Sequence, residues 1–163
     1  MKMEKYSILD RFGTISRYSN GWSLELNLIA WHDQPAKYDI REWSPDYKRM
    51  SRGLSLDTTE MENLLKGYKL WRNNNCIEDV RTNTLITLDD IVPVKICAQI
   101  GALNDWNDYD FRKEVNVVSW NNGFPMVDIR AWSKDHRRMS RGLKLTQAQA
   151  DKVCRLIERC GTT

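Results

Sequence analysis

Long apolar runs are missing from this 163-residue chain. The longest candidate, Leu24 to Trp31, is interrupted by Glu25 and Asn27, so nothing approaches the ~20 residues of a membrane helix. The opening residues, Met1 to Tyr6, lack the apolar centre of an export signal, and the expected location is cytoplasmic, away from any membrane. Cysteine is sparse: Cys76, Cys97, Cys154 and Cys160 form no C-x-x-C pair, and the histidines are only His32 and His136. That excludes a zinc framework of ordinary spacing and reads as reduced thiols, with no metal and no cofactor expected. Proline and glycine, at 4 and 8 residues, are too few for a low-complexity chain. No metalloprotease helix, nucleophile elbow, phosphate loop or dinucleotide fingerprint occurs, so no enzymatic activity is expected. Net charge is +3 and by itself names no partner.

What the chain does contain is itself, twice. With a shift of 89, residues 31–56 (WHDQPAKYDIREWSPDYKRMSRGLSL) align without a gap on residues 120–145 (WNNGFPMVDIRAWSKDHRRMSRGLKL), and 14 of 26 positions are identical. The register extends backwards, pairing Glu25 and Asn27 with Glu114 and Asn116. So long a period is a duplicated small domain rather than a solenoid repeat. The parts are a first repeat at 1–71, a connector at 72–90 and a second repeat at 91–163.

Each repeat shows four strands and then a helix. In the first, the strands fall at about 11–18, 22–31, 36–43 and 53–56. Asp57 follows as an N-cap, and Met61, Leu64, Leu65, Tyr68 and Trp71 form one apolar stripe. The second has strands at 92–100, 111–120, 126–132 and 142–145, then a capping box at Thr146 and Gln149 with Ala150, Val153, Cys154 and Ile157 facing inward. Cys154 aligns with Leu65 and reads as a small core residue. The connector predicts a little local strand over 85–88.

Strand alternation sorts the side chains by face. Glu25, Asn27 and Trp31 share a face, as do Lys37, Asp39, Arg41 and Trp43; their equivalents are Glu114, Asn116 and Trp120 with Asp128, Arg130 and Trp132. Asp39 and Asp128 each lie two residues from an arginine, and a local ion pair accounts for them better than acid catalysis. Windows 37–52 and 127–144 carry net charges of +2 and +4, so positive charge concentrates in the duplicated segment. Aromatic rings among cations on a sheet face are what single-stranded nucleic acid requires, since rings stack on bases and cations track phosphates. The candidate binding residues are Trp31, Lys37, Arg41, Trp43, Lys48, Arg49 and Arg52 in the first repeat. In the second they are Trp120, Arg130, Trp132, Lys134, Arg137, Arg138, Arg141 and Lys144.

At Lys37-Tyr-Asp-Ile-Arg-Glu-Trp-Ser-Pro-Asp with Met50-Ser-Arg-Gly-Leu-Ser-Leu56, and again at Val127-Asp-Ile-Arg-Ala-Trp-Ser-Lys-Asp with Met139-Ser-Arg-Gly-Leu-Lys-Leu145, the sequence resembles the positive cofactor four family of transcriptional coactivators. It is most similar to the bacterial YdbC-type members. The resemblance covers about 11–71 and 92–160. It implies an α+β fold of two ββββα units, with curved antiparallel sheets and C-terminal helices, packed as an intrachain pseudo-dimer. It also implies binding of single-stranded DNA along the sheets, with Arg41, Trp43, Arg52, Arg130, Trp132 and Arg141 as contacts and Trp31 and Trp120 as stacking positions. Family members carry one such unit where this chain carries two, so the expected assembly is a monomeric pseudo-dimer or a homodimer of pseudo-dimers. RNA binding, or a protein-interaction module built on the tryptophan faces, is the alternative.

Overall fold

The computed structural model describes residues 5–81, 86–87 and 94–159. In chain order the elements are β1 (Tyr6–Arg17), β2 (Ser23–Trp31), β3 (Lys37–Trp43), β4 (Leu54–Leu56), α1 (Thr58–Asn74), α2 (Ile77–Val80), β5 (Ile86–Thr87), β6 (Val94–Ala102), β7 (Phe111–Trp120), β8 (Met126–Ser133), β9 (Met139–Leu145) and α3 (Gln147–Arg159). The sheets run β1-β2-β3-β4 and β5-β6-β7-β8-β9, with every neighbouring pair antiparallel. The expected two ββββα units of an α+β fold are therefore present, each sheet being followed in the chain by a helix. The local strand expected over 85–88 is realised at Ile86–Thr87, while 85, 88 and the proposed strand start at 92–93 lie outside the described residues. Cys160 lies outside them as well.

The chain groups into two compact units, Met1–Thr58 with Asp151–Thr163, and Thr59–Ala150. The repeat is thus a unit of sequence, and the packed unit takes its helix from the other repeat. In the first unit, Leu24, Leu26, Ile40 and Leu56 are buried, and Leu156 of α3 lies against Gly13 of β1. β1 slips register against β2 at three points, and β6 against β7 at two. Such bulges bend and twist a strand.

In the second unit, α1 buries Met61, Leu64 and Tyr68, and Val115, Val117, Val127, Ile129 and Leu145 of the sheet are likewise buried. Fully burying such a side chain is worth about 1.5–3 kcal/mol, so the apolar stripe explains why this helix seeks a sheet. Polar contacts set its register. Asn63 donates to the Leu103 carbonyl at 2.8 Å, Asn104 donates to Glu60 at 2.8 Å, and Lys113 pairs with Glu60 at 3.0 Å. At the start of α3, Thr146 N–H donates to Gln149 Oε1 and Gln149 N–H to Thr146 Oγ1, at 2.9 and 3.1 Å, the reciprocal box expected there.

Gly53, just ahead of β4, and Gly142, within β9, each approach the neighbouring strand closely. A Cβ on Gly53 would collide with Arg41 Cβ and the Ile40 carbonyl; one on Gly142 would meet Arg130 Cβ and the Ile129 carbonyl in the same way. These atoms belong to the next strand and cannot yield. Gly142→Ala should therefore cost about 1–3 kcal/mol in chemical unfolding, as overpacking does. Gly101→Ala, where nothing lies within 4 Å, is the control and should leave the midpoint nearly unchanged.

Candidate nucleic-acid interface

The two sheet faces opposite the helices are built alike. At the centre of each is a buried aspartate held by the arginine two residues on. Arg41 meets Asp39 through Nε at 2.6 Å and Nη2 at 2.8 Å, and Arg130 meets Asp128 at the same distances. Both carboxylates are fully buried. The same guanidinium donates to the Ser51 or Ser140 carbonyl at 3.3 Å and touches the Met50 or Met139 sulfur at 3.6 Å. It also lies over an indole, Arg41 at 4.5 Å from the Trp31 centroid and Arg130 at 4.4 Å from that of Trp120. Lys144 approaches the Trp120 ring to 4.6 Å. Trp31 and Trp120 themselves are half-buried.

Beside each pair, the turn after the third strand of the repeat is ordered by its own side chains. Ser44 Oγ donates to Asp46 at 2.8 Å, Lys48 N–H donates to the same Asp46 oxygen at 3.0 Å, and Arg49 N–H donates to Ser44 Oγ at 2.9 Å. Ser133, Asp135, Arg137 and Arg138 repeat the pattern at 2.7, 3.0 and 3.0 Å. Backbone N–H donation, from Lys48 and Arg137 respectively, is the main cause that holds the Asp46 and Asp135 carboxyls below the ordinary range. Tyr47 and His136, at φ 59° in each turn, bend back to the sheet. Tyr47 donates to buried Glu25 at 2.6 Å, and His136 Nε2 meets buried Glu114 at 2.9 Å. The result is that Lys48, Arg49, Arg137 and Arg138 project from a fixed backbone and are exposed.

Among the other candidates, Lys37, Arg52, Lys134, Arg141 and Lys144 are exposed too. Arg41 is only partly exposed and Arg130 is buried; their hydrogen bonds are committed to aspartate. Trp43 and Trp132, expected as contacts, are instead fully buried. Alternation assigned the correct side of the sheet, but the ordered turn folds back across that end. Trp132 belongs to a second apolar cluster with Val94, Ile96 and Val118, against which Trp120 and Met139 pack. Trp43 packs against Tyr6 at 5.6 Å and Tyr47 at 5.9 Å. These two rings are therefore core, and cannot stack on a base.

Several further aromatics pair with arginines on this surface. Arg49 lies over Trp22 at 5.5 Å, and at the equivalent place Arg138 lies over Phe111 at 5.3 Å. Position 22 aligns with 111 under the 89-residue shift, so two aromatics in register were the available signal. Arg11 lies over Tyr47 at 5.0 Å. Trp106, capped by Arg112 at 4.1 Å, has no counterpart in the first repeat and gave no such signal. Among the described residues no cluster of three or more His, Cys, Asp or Glu side chains is placed to hold a metal ion, and no helix is long and apolar enough to cross a membrane. Among the described residues Cys76, Cys97 and Cys154 form no disulfide, and burial pushes the Cys97 thiol up.

Two outcomes follow from these positions. Trp132→Ala should lower stability by about 3–5 kcal/mol, as truncation of a buried aromatic does, read by denaturant unfolding. Glu114 gives the pH dependence. Burial alone would raise its carboxyl, but hydrogen bonds from Arg112, His136 and Asn116 outweigh that and hold it below the ordinary 4.5. Its contribution is therefore complete above about pH 4.5 and is lost as pH falls through the lowered native value. Glu114→Gln should be less stable than the parent at neutral pH and should lose less on acidification below pH 4.5, measured by thermal unfolding from pH 7 downward.

A stretch of 56 residues, 34% of this chain, is 48% identical to an uncharacterized protein of Treponema pallidum (strain Nichols). It covers 66% of that protein, just under two thirds of its length. Residues 107–156, from the end of the β6–β7 connection through β7, β8 and β9 into α3, are similar to the family described as Transcriptional Coactivator p15 (PC4).

Proposed function

We propose that the chain binds single-stranded DNA with little sequence preference, one stretch on each sheet face, in the service of transcription, replication or repair. The observation that carries this reading is the repetition of one arrangement. A turn locked by its own serine and aspartate presents two exposed cations beside a half-buried, arginine-covered tryptophan, at matching positions in both repeats. The similarity of 107–156 to a transcriptional coactivator family supports it.

In this reading the roles divide by exposure. Lys37, Lys48, Arg49 and Arg52, with Lys134, Arg137, Arg138, Arg141 and Lys144, neutralise phosphates. Trp31 and Trp120 offer ring edges and partial faces to bases, and Arg41 and Arg130 hold those rings rather than the ligand. Fixed turns reduce the ordering that binding would otherwise cost. The chemistry does not itself detect a 2′-hydroxyl, so RNA is the second reading within nucleic acids.

Titration with fluorescent oligo-dT, oligo-U and blunt duplex at two salt concentrations is the test. Oligo-dT should bind more tightly than duplex and quench tryptophan fluorescence, and affinity should fall steeply with salt. Arg52→Glu with Arg141→Glu should weaken binding and flatten the salt slope by about 0.7 for each phosphate no longer neutralised. Equal affinity for duplex would overturn the single-strand reading, and binding that ignores salt would instead favour a protein-interaction surface.

A further inference from the structure

The second unit carries a hairpin that the first lacks. β1 and β2 are joined by five residues, 18–22, whereas β6 and β7 are joined by eight, 103–110. The longer connection is firmly built. Leu103 is fully buried and its N–H donates to the Lys113 carbonyl at 2.8 Å. Asn107 N–H donates to the Phe111 carbonyl at 2.8 Å, and Asn107 Oδ1 accepts from the N–H groups of Tyr109 and Phe111 at 2.9 and 3.0 Å. On this frame Tyr109 stands 81% exposed, the most exposed large aromatic among the described residues.

The hairpin adjoins the basic turn of the same unit. Lys134 of that turn pairs with Asp110 at 3.2 Å and lies 5.6 Å from the Trp106 centroid. In the first repeat the equivalent residue is Pro45, which packs on Gly21 of the short connection. The hairpin's own charge has the opposite sign: residues 103–110 hold Asp105, Asp108 and Asp110 and no lysine or arginine, and all three aspartates are exposed.

An acidic surface repels phosphate while a neutral ring accepts a base. We propose that the β6–β7 hairpin is the base-side lip of the second interface: Tyr109 stacks on an unpaired base, and Asp105 and Asp108 repel a second phosphate backbone. A single strand satisfies both sides, with its phosphates toward Lys134, Arg137 and Arg138 and its bases toward the lip. A duplex presents backbone to both and is rejected. The proposal rests on the single-strand reading above and adds a determinant of single-strand preference confined to one repeat.

The test compares oligo-dT and blunt duplex on the full chain and two variants, Tyr109→Ala and Asp105→Asn with Asp108→Asn. All three side chains are exposed, and unfolding midpoints should match the parent. Tyr109→Ala should weaken oligo-dT binding at least about fivefold, the lower end for one stacked base, with little effect on duplex. The double asparagine variant should gain duplex affinity at low salt severalfold while oligo-dT affinity changes by less than about twofold, and the gain should vanish at high salt. If the parent shows no preference for oligo-dT, the function itself is wrong. If the parent prefers oligo-dT but both variants keep its selectivity, the lip alone is overturned.

Discussion

Each sheet face is organised around a bidentate ion pair between a buried aspartate and the arginine two residues along the same strand. Taking both charges out of water is costly, and the cost is offset only by close geometry and full hydrogen bonding. Asp39 is held by Arg41 and a further bond from Ser55 at 3.1 Å; Asp128 is held by Arg130, and burial still pushes its carboxyl up against that pairing. Because the guanidinium is thereby fixed, everything it touches is fixed with it. The indole lies beneath it, a methionine sulfur and a serine carbonyl (Met50 and Ser51 ahead of β4, Met139 and Ser140 in β9) lie beside it, and a glycine is required where that segment crosses its Cβ. Loss of the arginine would leave an uncompensated buried charge and release the ring, so the pair positions the surface without needing to touch a ligand.

The turns add the outward-facing half. Their aspartates collect backbone N–H groups, which fixes the roots of the long cationic side chains while the tips stay in solvent. The two copies are not identical in chemistry. Tyr47 donates to Glu25 where His136 meets Glu114, and Ser55 is replaced by Lys144, which adds a cation over Trp120. Together with the acidic β6–β7 hairpin, these changes leave the second face more strongly charged in both senses.

Packing also differs from the order of the chain. Each compact unit joins the sheet of one repeat to the helix of the other. A four-stranded sheet with a single helix is near the lower limit of what a hydrophobic core can stabilise, so a sheet needs helical cover from somewhere. Exchange supplies it.

Much of this was legible in the residues. The 89-residue repeat, the strand order, the apolar stripe of α1, the capping box of α3 and the Asp–Arg pairs all follow from spacing, because local periodicity and short-range charge pairs are encoded within a few residues of each other. The exchange of helices was not legible: an amphipathic stripe such as Met61, Leu64 and Tyr68 states that a sheet is wanted and not which one. Nor was the fate of Trp43 and Trp132. Alternation decides the side of a sheet on which a ring projects, and it did so correctly. Whether that side is open depends on what else packs there, and only the tertiary structure buried Trp132 against Val94, Ile96 and Val118 and Trp43 against Tyr6 and Tyr47, while leaving Trp31 and Trp120 half-buried and the turn cations exposed.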